Sequence, residues 1–339
     1  MLLFTEKIEA NRVPAWDQMA AIYGRDKVIM FDLETTGLSP KNSFIYIIGI
    51  NYWKDDAWHI LQLFNDDGRS EPEMLEYFMD LLQGRTMLFH FNGDTFDIPF
   101  VRGRMEKIRL SLSRTIEDRM GFLTSYDFLK EIRPFRYALG LPNVRQKTVE
   151  QYLGIHREDQ YNGGQLIDVY LSYLSSGSRR NRDLVLLHNR DDMEGMFHLG
   201  RMHALTAFCG GNFQVGEISM DQKGNVLSLC LPLSCTEVFP QPVITTGSGI
   251  TLRGEDTDAS LEIRIRREPC KCSITREETE GYFLPCAGYT GVTLYEDPAK
   301  KKDTYIAAND ELLGSPERLQ TYATCVVQML MKQNYNRRK

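Results

Sequence analysis

VIMFDLETTGLSP, residues 28–40, begins as a buried strand and ends in acid. Val28 to Phe31 form an apolar run that suits a strand covered on both faces. Asp32 and Glu34 then appear at its end, followed by a Thr-Thr-Gly turn. Side chains two apart on a strand share a face, so the two carboxylates project together. Adjacent carboxylates repel one another, and one retains its proton unless a cation is near. A divalent ion removes that cost, and hard oxygen donors suit Mg²⁺ or Mn²⁺ rather than Zn²⁺. On its own, the pair also fits two solvated acids at a strand end.

Outward from this stretch, residues 28–34, 44–53 and 58–64 read as three consecutive strands, with Asp55 and Asp56 in the second turn. Met74, Leu75, Phe78, Leu81 and Leu82 give residues 71–83 helical spacing, and residues 86–92 form a further apolar strand. Helices are expected around 98–108, 147–153, 165–174 and 182–207. Beyond Cys209-Gly-Gly, short β-like runs such as NVLSLCLPLS (225–234) and SLEIRIRREP (260–269) take over. The expected organisation is an N-terminal extension (1–24), an α/β domain with a mixed sheet flanked by helices (25–208), and a smaller β-rich region (212–339). That region ends in a helix, with Ser315 as N-cap and Pro316 at the first helical position.

Two more clusters carry chemistry. In HFNGDTFDIPF (90–100) a strand gives way to a turn, and Asp97 opens a helix with Pro99 in its first turn. Asp97 suits a helix cap, and Asp94 in the turn competes with it for any functional role. In LVLLHNRDDMEGM (184–196), His188 and Asp192 are four apart on a helix and share a face; Asp191, three from His188, is nearly as well placed.

Taken together and in this order, the three clusters resemble the DEDD superfamily of 3′–5′ exonucleases. FDLETTGLSP resembles its first motif and FNGDTFDIPF its second. The third motif of that superfamily carries Tyr-x-x-x-Asp or His-x-x-x-x-Asp; here His188 stands at the tyrosine spacing from Asp192. The combination, with TVEQYLGIHRED (148–159), is similar to the YprB-type branch of ribonuclease-H-like predicted exonucleases and extends over about residues 25–208. The resemblance implies a ribonuclease-H-like fold with Asp32, Glu34, Asp97 and Asp192 as ligands of two Mg²⁺ or Mn²⁺ ions. His188 would stand where the residue that handles the attacking water stands, and Asp32 would bridge the ions. The implied activity is exonucleolytic hydrolysis at a 3′ end, on DNA or RNA. A catalytically silent nucleic-acid-binding scaffold and a structure-specific endonuclease are the alternatives.

Between Arg102 and Lys147 eleven Lys and Arg face five Asp and Glu, with Phe122, Tyr126, Phe128, Phe135 and Tyr137 interleaved. Basic residues neutralise phosphates and aromatics stack on unpaired bases, although a solvated helix face over a core gives the same pattern. Arg102, Arg133 and Arg136 are substrate-contact candidates from this stretch, with Asn92 and Phe96 from the second motif. Thr35, Thr36 and Gly37 beside the acids would let a terminal nucleotide approach closely.

The 339 residues carry a net charge of −6, with 42% hydrophobic and 25% charged residues, as expected of a soluble globular protein. No apolar run nears the roughly 20 residues that span a bilayer, and the N-terminus does not read as a signal peptide. Seven scattered cysteines suggest reduced thiols and a cytoplasmic location. Cys270, Cys272 and Cys286 lack the usual zinc spacings, and His90, His156, His198 and His203 suit packing or surface roles.

Overall fold

In the computed structural model, which describes residues 1–108, 121–159, 161, 163–235, 239–297 and 304–332, the acid-bearing strand is central to a six-stranded mixed sheet. Its strands are β1 (Leu2–Ile8), β2 (Val28–Thr35), β3 (Ile45–Lys54), β4 (Ala57–Phe64), β5 (Met87–His90) and β6 (Thr124–Asp127), in the order β1-β4-β3-β2-β5-β6. The first four pair antiparallel, whereas β2 with β5 and β5 with β6 are parallel. Helices α1 (Pro14–Tyr23), α2 (Glu71–Leu81), α3 (Asp97–Lys107), α4 (Phe128–Ile132), α5 (Gln146–Tyr152), α6 (Gly163–Ser176) and α7 (Arg179–Leu199) accompany the sheet.

Strand parity divides the side chains of β2 between two layers. Ile29, Phe31 and Leu33 pack with Met74, Leu75 and Phe78 of α2 and Phe100, Val101 and Met105 of α3. On the other side, Tyr46, Ile47 and Phe64 gather with Leu166 and Tyr170 of α6 and Val185 and Leu186 of α7. Asn51 binds α7 there, donating to the Met193 carbonyl at 2.7 Å, and lies 3.4 Å from the Met30 sulfur. Met30, Asp32 and Glu34 therefore face α7.

The first 24 residues, expected as an extension, are built into this fold. Strand β1 pairs with β4 from Leu2↔Phe64 to Ile8↔Trp58. Trp16 of α1 is fully buried, with ring centroids 5.4 Å from Trp58 and 4.9 Å from Phe89.

The chain divides into two compact units, one of Met1–Glu131 and Val144–Arg201, the other of Ile132–Asn143 and Met202–Lys339. The division falls at Arg201–Met202 rather than at the Gly210–Gly211 pair, and the short 132–143 segment groups with the C-terminal part. The second unit holds α8 (Met202–Cys209) and a nine-stranded sheet: β7 (Phe213–Val215), β8 (Ser219–Lys223), β9 (Val226–Cys235), β10 (Val243–Gly247), β11 (Ile250–Glu255), β12 (Asp258–Cys272), β13 (Glu278–Pro285), β14 (Tyr295–Glu296) and β15 (Thr304–Ala307). After α9 (Asp310–Leu313), α10 (Pro316–Met331) buries Leu319, Tyr322, Val326, Val327 and Leu330; the Ser315 hydroxyl accepts from the Arg318 amide at 3.4 Å as the expected cap. Among the described residues, no helix is long and apolar enough to cross a membrane.

Candidate active site

Asp32 sits opposite Gly49 in the β2–β3 ladder. A Cβ on Gly49 would lie 2.5 Å from Asn189 Oδ1 and 2.7 Å from Met193 Cγ, so only glycine lets α7 approach so closely. Asn189 is fully buried. Its Oδ1 accepts from Gln62 Nε2 at 3.0 Å, which leaves Nδ2 to donate to Asp32 Oδ2 at 3.2 Å.

The same close approach brings the late helix onto the strand-end acids. Oxygens of Glu34 and Asp192 and a ring nitrogen of His188 lie within 4.8 Å of one another. His188 Nε2 is 3.3 Å from Asp192 Oδ2 and 3.6 Å from Glu34 Oε1. On its far side, Nδ1 is 2.6 Å from Asp159 Oδ2. Asp97, the buried first residue of α3, reaches back to accept from the Leu33 backbone N–H, between the two strand acids.

Electrostatics tie the four acids together. Burial holds Asp32 well above its usual range, and the charges of Asp192, Asp97 and Glu34 add to it, against the Arg157 guanidinium. Burial likewise pushes Glu34 up to about 7; His188 opposes the shift and Asp192 adds to it. Asp97 is also pushed up to about 7 by burial, against its backbone hydrogen bonds. Burial would depress the His188 imidazole, but Glu34, Asp192 and Asp159 raise it. Three neighbouring carboxylates that resist ionisation, within reach of a fourth and an imidazole, form a donor set that suits divalent cations: such an ion removes the repulsion and has hard oxygens to bind.

Asp191 and Asp192 part company. Asp191 Oδ2 accepts from the amides of Glu158 and Asp159 at 3.0 and 2.9 Å, whereas Asp192 faces His188. Asp94 is engaged by Ser125 and Lys130, beside a buried His90 that accepts from the Gly93 amide at 3.0 Å. The Asn92 backbone is left-handed, its amide donates to Asp127 at 2.8 Å, and its side chain accepts from Thr95 at 2.7 Å. Phe96 packs on Phe100 with centroids 5.5 Å apart, at the edge of the core. The Thr35 hydroxyl donates to the Gly37 carbonyl at 2.8 Å, and Thr36 Oγ1 accepts from the Phe44 amide at 3.0 Å. A Cβ on Gly37 would come within 2.5 Å of Ser43 Oγ, so packing inside its own loop already accounts for a small residue here.

The basic stretch is less available than its composition suggests. Arg104 is buried against Glu71, with Nε–Oε1 at 2.7 Å. Phe128 and Phe135 are buried and Tyr126 packs at a tilt on Phe89, while Phe122 is exposed. Arg102 is exposed on α3. Arg133 and Arg136 belong to the second unit, where Arg133 is exposed and Arg136 donates to the Leu141 carbonyl at 3.2 Å and covers the Tyr137 ring. Arg109, Arg114 and Arg119 lie outside the described residues.

Arg157, Asp159, Glu150 and Asn189 are contributors that the sequence did not single out. Arg157 Nη2 bridges Glu150 Oε1 and Asp192 Oδ1, each at 2.7 Å. Gln146 Nε2 braces this clamp, donating to Glu150 Oε1 at 2.9 Å and to the Asp192 carbonyl at 2.8 Å. The Arg-Glu-Asp run at 157–159 was visible in the sequence, but not its contact with α7.

The family model of the RNase_H superfamily matches residues 29–203. No curated protein matches the chain. Among solved structures, the family B DNA polymerase from the hyperthermophilic archaeon Pyrobaculum calidifontis is similar at 16% identity and a TM-score of 0.42, over 54% of this chain and 25% of the polymerase. The zinc-bound E. coli ExoI–ssDNA complex is similar at 15% identity and a TM-score of 0.31, over 64% of this chain and 53% of the other. For E. coli exonuclease I in complex with a dA16 oligonucleotide the figures are 14% and 0.31, over 67% and 54%. The chain thus spans about a quarter of the polymerase and about half of each exonuclease I chain.

Proposed function

The chain belongs to the RNase_H superfamily, and from that premise we propose that it is a divalent-metal-dependent nuclease that removes nucleotides from a 3′ end of DNA or RNA. The observation that carries this reading is the convergence of Asp32, Glu34, Asp97 and Asp192 from a strand end, a helix start and a helix far along the chain, into one mutually repelling set. The resemblance of the three motifs to DEDD exonucleases supplies the 3′–5′ polarity.

Phosphodiester hydrolysis needs an activated water and stabilisation of charge on the phosphoryl and leaving oxygens, and a pair of bound Mg²⁺ or Mn²⁺ ions supplies both. The four carboxylates would hold those ions. Asn189 fixes one oxygen of Asp32, and Arg157 fixes one oxygen of Asp192. His188 turns Nε2 to the same space, at the position the resemblance gives to the residue that handles water. Thr35 and Thr36 offer a terminal nucleotide small neighbours beside the acids, and exposed Arg102 offers a phosphate contact.

End-labelled DNA and RNA, single- and double-stranded, with free and blocked 3′ ends, test the reading. It predicts mononucleotide release from free 3′ ends in Mg²⁺ or Mn²⁺, and none after chelation or 3′ blocking. Cleavage indifferent to the block would make the protein an endonuclease. Binding without cleavage in every combination would make it a scaffold.

A further inference from the structure

Resting on the nuclease reading, we propose that His188 is itself a cation ligand, so that Glu34, His188 and Asp192 form a mixed nitrogen–oxygen position that prefers Mn²⁺ to Mg²⁺. Donors bound at about 2.1 Å to one ion are at most about 4.2 Å apart. The separations of 3.3 Å and 3.6 Å from Nε2 to Asp192 and Glu34 lie inside that limit. A water held between the ring and either acid needs two successive hydrogen bonds of about 2.8 Å each, and so a wider gap. The gaps are thus too short for a bridging water and fit a direct ring–carboxylate contact or a shared ion.

The surroundings of the ring point the same way. Ligating histidines characteristically donate their second N–H to a carboxylate, which fixes the tautomer and raises the basicity of the ligating nitrogen. Asp159 fills that place at 2.6 Å from Nδ1 and is itself buried. Its other oxygen accepts from the Tyr161 amide at 2.9 Å, and its own amide is held by Asp191. The ring therefore cannot easily rotate, and Nε2 stays directed at the two acids. Arg157 occupies Asp192 Oδ1 and leaves Oδ2, the oxygen nearest Nε2, for an ion. Mg²⁺ prefers an all-oxygen octahedron and dehydrates reluctantly, whereas imidazole suits first-row transition ions. The nitrogen is what would separate Mn²⁺ from Mg²⁺ here, and Asp159 is its positioning residue.

The test uses the full chain loaded with Mn²⁺ alone, read by pulsed electron paramagnetic resonance, with Mn²⁺ and Mg²⁺ affinities from calorimetry. A directly bound imidazole gives a ¹⁴N coupling to Mn²⁺, and growth with ¹⁵N-histidine replaces it with a ¹⁵N coupling in the unaltered protein. His188→Gln should abolish the coupling and lower the Mn²⁺/Mg²⁺ affinity ratio at least about tenfold. Asp159→Asn should keep the coupling and weaken Mn²⁺ binding by about 10–100-fold. Mn²⁺ bound without nitrogen coupling, or a ratio unchanged in His188→Gln, overturns the proposal and leaves the nuclease reading intact if labelled substrates are still cleaved. No Mn²⁺ binding and no cleavage overturns both.

Discussion

Among the described residues of the first unit, two buried arginine–glutamate pairs repeat one arrangement and end in different places. Arg104 and Glu71 form a bidentate pair beneath the loop that follows β2. The remaining Arg104 nitrogen donates to the Pro40 carbonyl at 2.7 Å, and Glu71 accepts from the Ile45 amide at 2.9 Å. Among the described residues, every hydrogen-bond partner of that pair is main chain or its own mate, so it fastens the loop. Arg157 and Glu150 repeat the bidentate arrangement, but Arg157 also reaches Asp192. Glu150 is fully buried at a point where a Cβ on Gly195 would lie 1.9 Å from its Oε1, so the helix leaves room for the clamp. The comparison teaches that the same chemistry closes one region on itself and extends the other to the acids.

Asp32→Asn separates scaffold from site most sharply. Cleavage of labelled substrate should fall by on the order of a thousandfold or more. The thermal midpoint of the ion-free protein should not fall, since the change removes a carboxylate that its neighbours repel. A lower midpoint would place Asp32 with Arg104 among residues that serve the fold. Next come Arg104→Ala and Arg157→Ala. Each leaves a buried glutamate unpaired and should cost about 3–5 kcal/mol in denaturant unfolding. Only Arg157→Ala should also weaken Mn²⁺ binding when both variants are compared folded; equal weakening in the two would erase the distinction.

Much of the candidate site was legible because its residues obey local periods. Strand parity put Asp32 and Glu34 on one face, and helical spacing paired His188 with Asp192. The split between Asp191 and Asp192 was not legible, because it depends on how α7 is turned as it packs on the sheet, where Gly49 of another strand admits it closely. Arg157 and Asp159 sit on an aperiodic connection between α5 and α6, and the contacts that tie them to the acids, with Asp192 and His188, are made to α7. Net charge misled in the basic stretch: Arg104 counts as a cation in composition, yet it is buried beside Glu71. Strand β1 escaped because its partner β4 is remote in sequence and half of its side chains face outward.

Gly49→Ala probes how closely α7 must approach. Displacing Asn189 should cost about 1–3 kcal/mol in unfolding and loosen Mn²⁺ binding through Asp32. A variant that loses stability but binds Mn²⁺ unchanged would detach Asn189 from the site.

The smallest effect is one of pH. Glu34 and Asp97, at about 7, lie above their unfolded values, so their protons stabilise the ion-free fold. That contribution is fully present below roughly pH 4 and is lost as pH rises through about 7. Mn²⁺ must displace the same protons, so its affinity should climb between about pH 5 and 8, with proton release seen by calorimetry in buffers of different ionisation enthalpy. Affinity that stays flat across this window would remove Glu34 and Asp97 from the ligand set.

Anomalous diffraction from crystals soaked in Mn²⁺ tests the central claim most directly. The account predicts two peaks enclosed by Asp32, Glu34, Asp97 and Asp192, one of them touching His188. Peaks elsewhere, or none at these side chains in a crystal that takes up the ion, would contradict it.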